Sequence, residues 1–182
     1  AYIGIGIEDK TARINFSLSP DGIQTVVFRA DSGTEFIEPF TKDHAVYVFF
    51  DSRTRNTTRL PFNCGTIEQR LSDDLLNESA IANRADNQTY KTMRLALSCT
   101  GEYGAYFGGT IAGALAGMNA TMTRVNGIFE KDMALHLNII ANNNLVVYTN
   151  ASTDPYSPAS GINNWNDQLQ STLTSVIGEA NY

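Results

Sequence analysis

Hydrophobic and polar positions alternate with a period of two through the first fifty residues. Ile3, Ile5 and Ile7 are separated by Gly4 and Gly6, and Ile14, Phe16 and Leu18 by Asn15 and Ser17. Successive residues of a strand point to opposite faces, so each apolar set lies on one face of a sheet. Ser19-Pro20-Asp21-Gly22 reads as a turn, because proline pre-sets φ and glycine accepts a positive φ. Further strands are predicted at 23–28, 34–37 and 45–50, with Asp31-Ser32-Gly33 between the first two of these. The segment 1–50 is therefore a small antiparallel meander of about five short strands.

The alternation lapses between 51 and 89. Asp51 to Arg59 is polar, Leu60-Pro61-Phe62-Asn63-Cys64-Gly65 follows, and Leu71, Leu75 and Leu76 show mild helical spacing. This stretch reads as a connector between two units. Arg84-Ala85-Asp86-Asn87 is its exposed, cleavable loop, with Arg84 the processing residue.

From Tyr90 onward the period changes to β–α–β. Met93, Leu95 and Leu97 mark a strand, and 101–109 is rich in glycine and aromatic residues. A helix is predicted from Thr110, as N-cap, to Lys131, with Ile111, Leu115, Met118, Met122, Val125 and Phe129 three or four apart. Gly109, Gly113 and Gly117 recur on one face of it and predict close packing on a sheet. Leu135, Leu137 and Ile139 mark a second strand, and 145–148 a third after an Asn142-Asn143-Asn144 turn. A last helix spans 163–177, with Trp165, Leu169, Leu173, Val176 and Ile177 as its core stripe and Gly178 as C′ residue. A strand–helix–strand unit implies a parallel pair. The fold class is α/β locally and α+β overall, divided into 1–50, 51–89 and 90–182.

Composition narrows the function. The net charge is −6 and charged residues make up only 18%, so no basic face for nucleic acid or an anionic membrane is expected. No run reaches the roughly 18 apolar residues of a membrane span. The chain starts at Ala1 without a charged region followed by an apolar one, so a leader has either been removed or was never included in this sequence. Low charge with abundant Asn, Ser and Thr is common in exported proteins, and sequons, glycan candidates in a eukaryotic secreted protein, occur at Asn56, Asn77, Asn87, Asn119 and Asn150.

Catalytic constellations are scarce. The two histidines, His44 and His136, lie far apart, each inside a strand pattern, and read first as strand residues. There is no His-Glu-x-x-His to grip zinc, no Gly-x-Ser-x-Gly elbow and no phosphate loop. Cys64 and Cys99 allow three readings: a disulfide between them, a Cys64 thiolate that caps a metal elsewhere in the parent protein, or a plain buried thiol.

The segment from Met118 to Asp132, through Arg124-Val125-Asn126-Gly127-Ile128-Phe129, runs on into Ala134-Leu135-His136-Leu137-Asn138-Ile139-Ile140. With the Asp154-Pro155-Tyr156 loop and the Trp165 helix, it resembles the start of a metzincin catalytic domain of the adamalysin/reprolysin kind, bacterial members especially. Residues 1–50, with their Asp-Gly hairpin and the Glu38-Pro39-Phe40 turn, resemble that family's pro-segment. The resemblance implies a β-α-β-β-α front half of a catalytic domain in a secreted zinc endopeptidase zymogen acting on peptides or proteins. Cys64-Gly65 resembles the latency switch of some metzincins, which makes Cys64 a ligand to the parent's zinc. The family's zinc motif follows the matched region and is absent here. The chain alone is therefore expected to be inactive and to hold no cofactor, with zinc in the parent, and its partner is the remainder of its own catalytic domain. Apolar surface meant for that remainder predicts self-association. A secreted, non-enzymatic binding or adhesion module is the alternative.

Overall fold

In the computed structural model, residues 1–54 and 89–182 are described. Five strands form the first sheet in sequence order, all antiparallel: β1 (Tyr2–Ile5), β2 (Arg13–Ser19), β3 (Gly22–Phe28), β4 (Glu35–Pro39) and β5 (Tyr47–Asp51). This is the expected meander. The β2–β3 turn closes at Ser19↔Gly22, where Gly22 takes φ 92°, a value that favours glycine.

The register sorts side chains into two faces. One carries the cross-strand row Tyr2, Phe16, Thr25, Ile37 and Phe49. The other carries Ile3, Asn15, Val26, Phe36 and Phe50. It is the second face that a helix covers, and Val26 at its centre is fully buried. The alternation in β2 thus runs opposite to the usual sense: Asn15 and Ser17 are buried while Leu18 is exposed.

The α/β unit pairs β6 (Lys91–Leu95) in parallel with β7 (Leu135–Ile139). Between them lie a short helix, α1 (Gly101–Tyr106), and the long helix α2 (Ile111–Met133). Thr110 caps α2, its hydroxyl accepting from Gly113 N at 3.1 Å. Thr100 caps α1 in the same way, so the glycine- and aromatic-rich stretch begins with a helical turn and a half. It ends at Gly108 and Gly109, both with positive φ.

Helix α2 is buried on two sides. Ala114 and Met118 pack with Cys99 and Val147, while Thr123 and Gly127 lie toward the five-stranded sheet. A Cβ at Gly127 would sit 3.2 Å from the Phe28 ring and 3.3 Å from Asn15. Gly117 has a different neighbour from the expected sheet: a Cβ there would lie 2.6 Å from the Phe107 ring, and Gly113 abuts the Phe107 carbonyl. The glycine stripe therefore admits the α1–α2 loop. Of the predicted apolar stripe, Met118 and Met122 are buried but Ile111 is exposed, because the helix buries its small residues instead.

The predicted strand at 145–148 is replaced by a 3₁₀ turn, Asn143–Val146, and one parallel bridge, Cys99↔Val147. The cause is Asn143, 2% exposed, whose amide accepts from Leu97 N at 2.7 Å and donates to Leu97 O at 2.9 Å. A side chain thus occupies the backbone sites that a further strand residue would use. Asn126 does the same to β7, accepting from Leu137 N and donating to Leu137 O, both at 2.9 Å. Helix α3 (Trp165–Val176) closes the unit, packing Leu173 and Ile177 on Ala96 and Val146, and ends at Gly178 with φ 82°. No helix among the described residues is long and apolar enough to cross a membrane.

Asn143→Ala removes both bonds and leaves Leu97 N–H and C=O without a partner. A loss of about 2–3 kcal/mol is expected from the denaturant midpoint. Asn143→Asp, which can accept but not donate, should recover less than half of that loss.

Candidate functional site

Beyond β6 the chain continues through Leu97, Ser98, Cys99 and Thr100, at the carboxyl end of a parallel strand, where open sheets commonly place their sites. There these residues line a cleft of about 540 Å³ with Tyr103, Met118, Thr121, Tyr156, Trp165, Asn166 and Leu169. The volume falls within the range of small-molecule pockets.

Its polar groups are tied down. Tyr156 Oη donates to Ser98 Oγ at 2.5 Å, and Ser98 Oγ donates to Val146 O at 2.7 Å. Asp154 holds the loop: its carboxylate accepts from Tyr156 N at 2.9 Å and from Gly101 N, in the first turn of α1, at 2.6 Å. A carboxylate at that position also meets the positive end of the helix. Trp165 Nε1 donates to Ser157 O at 2.8 Å, and Gln168 bonds Ser157 as well, so the far wall is fixed to the same loop.

Cys99 is a buried free thiol whose Sγ lies 3.6 Å from Tyr148 O. Burial pushes its pKa up, and the Asp154 charge adds to this, outweighing the carbonyl contact that lowers it. Burial likewise raises the phenols of Tyr103, Tyr148 and Tyr156, the last partly offset by its bond to Ser98. A neutral thiol without an adjacent base is a poor nucleophile. The described walls of the cleft are mostly apolar, around a thiol that burial holds protonated.

A second polar cluster joins α2 to β7. His136 Nδ1 and Glu130 Oε1 are 2.5 Å apart, and Tyr90 Oη donates to the same carboxylate oxygen at 3.2 Å. Desolvation and the Glu130 charge raise the Tyr90 phenol. The opposite ring nitrogen of His136 faces Asn126 at 3.5 Å and lines a separate cavity of about 350 Å³ with Asn15, Asn119 and Thr123.

The sequence-predicted residues are thus dispersed. Cys64 and Arg84 lie outside the described residues; Cys99 lies in the cleft. His136 sits in β7 as expected, while His44 is not in a strand: it occupies the turn before β5 with φ 56°. Among the described residues no group of three or more His, Cys, Asp or Glu could hold a metal ion. Sequence reasoning missed Ser98, Tyr156, Glu130 and the two clamping asparagines. Only the Asp154-x-Tyr156 spacing carried a local signal, that of an Asx turn.

A protein-family model described as Metallo-peptidase family M12B Reprolysin-like matches residues 89–182. No curated protein and no solved structure gives a match.

Because the folded-state pKa values of Cys99 and the three tyrosines are raised, the folded chain keeps protons that the unfolded chain releases. Their contribution is complete below the unfolded values, about 8.5 for the thiol and 10 for the phenols, and is lost as pH climbs toward the folded ones. Urea midpoints should therefore hold steady from neutral pH to about 8.5 and fall above it. Tyr156→Phe should cost about 1 kcal/mol at neutral pH and make the alkaline decline shallower. A decline of unchanged slope in that variant would remove the role given to Tyr156.

Proposed function

The chain belongs to the reprolysin-like metallopeptidases of family M12B, whose model spans half of it, and from that membership we propose that residues 89–182 are scaffold for a zinc-dependent endopeptidase whose metal ligands lie outside residues 1–182. Membership implies zinc, but the residues present do not fit it. The sequence has two histidines and no His-Glu-x-x-His, and the described residues contain no metal-holding group. The chain's own contribution is to carry the sheet, the long helix and an apolar cleft at the end of β6. That cleft suits the apolar side of the segment that bears the metal ligands.

We further propose that residues 1–50 are a pro-segment of a secreted zymogen. The observation that carries this is the seam between β2 and α2. It buries Asn15, Ser17 and Thr123, and among its atoms Ser17 Oγ and Arg124 Nε have no hydrogen-bond partner within the described structure. Arg124 pairs with Glu38 at 2.7 Å and stacks over Phe36, and Lys131 lies over Phe28. A permanent core seldom leaves buried polar atoms unpaired. A surface that is later released to water regains its hydration on separation, so the polar seam suits a removable cover. Arg84, in the 51–89 connector, is the proposed processing residue, and Cys64-Gly65 supplies the proposed thiolate ligand that holds the parent's zinc silent.

The test compares the 182-residue chain with an extended polypeptide from the same reading frame. The short chain should purify without stoichiometric zinc and leave casein intact. The extended protein should contain one zinc, cleave casein after trimming near Arg84, and stop with 1,10-phenanthroline. Cys64→Ala in the extended protein should raise activity before trimming. An extended frame without a His-Glu-x-x-His segment would sink the peptidase reading and favour the binding-module alternative.

A further inference from the structure

Among the described residues the strongest concentration of exposed apolar surface lies on the five-stranded sheet, outside the family-matched region. The face that no described element covers carries the row Tyr2, Phe16, Thr25, Ile37 and Phe49, flanked by Leu18 and Ile23. Tyr2 is 56%, Leu18 64% and Phe49 62% exposed. Monomeric proteins rarely leave so continuous an apolar face in water. We infer that this face docks a second copy of the same chain, sheet on sheet, about a two-fold axis.

Three features select that occupant. The first is charge: among the described residues the charged groups of this face gather at one end, where Arg29 bridges Glu35 and Asp9 and Asp51 lies opposite Glu35, so nothing at its centre selects an ionic partner. The second is relief. Thr25 on the middle strand is low and buried, its hydroxyl accepting from Ile37 N at 3.1 Å. To one side stand Tyr2 and Phe16, stacked at 5.0 Å, and to the other Ile37 and Phe49. With the two-fold axis displaced toward one ridge, that ridge of each copy enters the furrow of the other, an isologous contact. Twisted sheets pack face to face at about 30° and about 10 Å. The third is area. Five strands at about 4.8 Å spacing, with four to seven residues each at about 3.4 Å, give a footprint of roughly 24 by 20 Å, or about 500 Å². Two copies together bury about 1,000 Å², the size at which specific interfaces begin. An interface that small implies a reversible, concentration-dependent dimer.

The experiment uses the full chain. Light-scattering mass is followed from about 1 to about 100 µM, a range matched to a micromolar Kd. The mass should rise from 19.9 kDa toward twice that value. Phe49→Glu and Leu18→Glu should each hold it at the monomer with an unchanged circular-dichroism spectrum, whereas Ile111→Glu, exposed at the start of α2, should leave the dimer intact. A photo-crosslinking benzoylphenylalanine at position 49 gives a readout independent of variant folding. A covalent species of doubled mass supports the inference. A monomer mass at every concentration overturns it, as does a crosslink from position 49 to residues 55–88 of the same chain.

Discussion

Among the described residues helix α2 packs against both halves of the structure, and apart from Met118 and Met122 the residues it buries are small or polar. Gly127 lets its axis come down on Phe28 and Asn15 of the five-stranded sheet, and Gly117 makes room for the Phe107 ring on another side. Glycine inside a helix costs roughly 0.5–1 kcal/mol relative to alanine. Here that cost is offset by contacts no larger residue would allow. The two junctions differ in kind. Toward β6 and β7 the helix meets a small apolar cluster of Cys99, Ala114, Met118 and Val147. Toward the meander it meets asparagine, serine, threonine and an arginine–glutamate pair.

That difference explains what the sequence made legible. The meander, its hairpin, the long helix with its Thr110 cap and the Trp165 helix all rest on local signals: alternation, proline and glycine in turns, and three-to-four spacing. What periodicity could not supply was which face of the sheet is covered. Ile14, Phe16 and Leu18 mark one side of β2, yet the helix lies on the side of Asn15 and Ser17. The failed strand at 145–148 has a similar origin. Its sequence is apolar enough for a strand, but Asn143 sits just ahead of Val146 and spends its amide on the backbone of Leu97, 46 residues away. A tertiary bond of that length leaves no trace in spacing. The same holds for Asn126 on Leu137 and for the Ser98–Tyr156 pair, so the cleft was visible in sequence only through Cys99 and the Asp154 loop.

The family assignment and the residue chemistry bear on different questions. Membership in the reprolysin-like metallopeptidases speaks for zinc, while the described residues offer no group that could bind it. The two agree if the chain's part in the reaction is architectural. The cleft at the end of β6 fits that part: its thiol is held neutral by burial, its Ser98 and Tyr156 hydroxyls are committed to each other, and its walls include Leu97, Met118, Trp165 and Leu169. A site that performed chemistry here would need an uncommitted base beside the thiol or the hydroxyl. The described neighbours of Ser98 and Cys99 are carbonyls and a phenol instead.

The uncovered sheet face and the polar seam are two sides of the same five strands, and their chemistry is inverted. The side that meets α2 within the chain is the more polar, and the side left open is the more apolar. A sheet that served only to cap α2 would gain by presenting its aliphatic and aromatic row to the helix and its asparagine and serine to water. Keeping the opposite arrangement weakens the contact within the chain while leaving a hydrophobic surface available between chains. Both consequences follow from one registry: a one-residue slip in β2 would exchange them. The Ser19↔Gly22 closure, with its glycine at positive φ, holds that registry in place. The weak seam and the apolar outer face of β2 are thus set by the same turn.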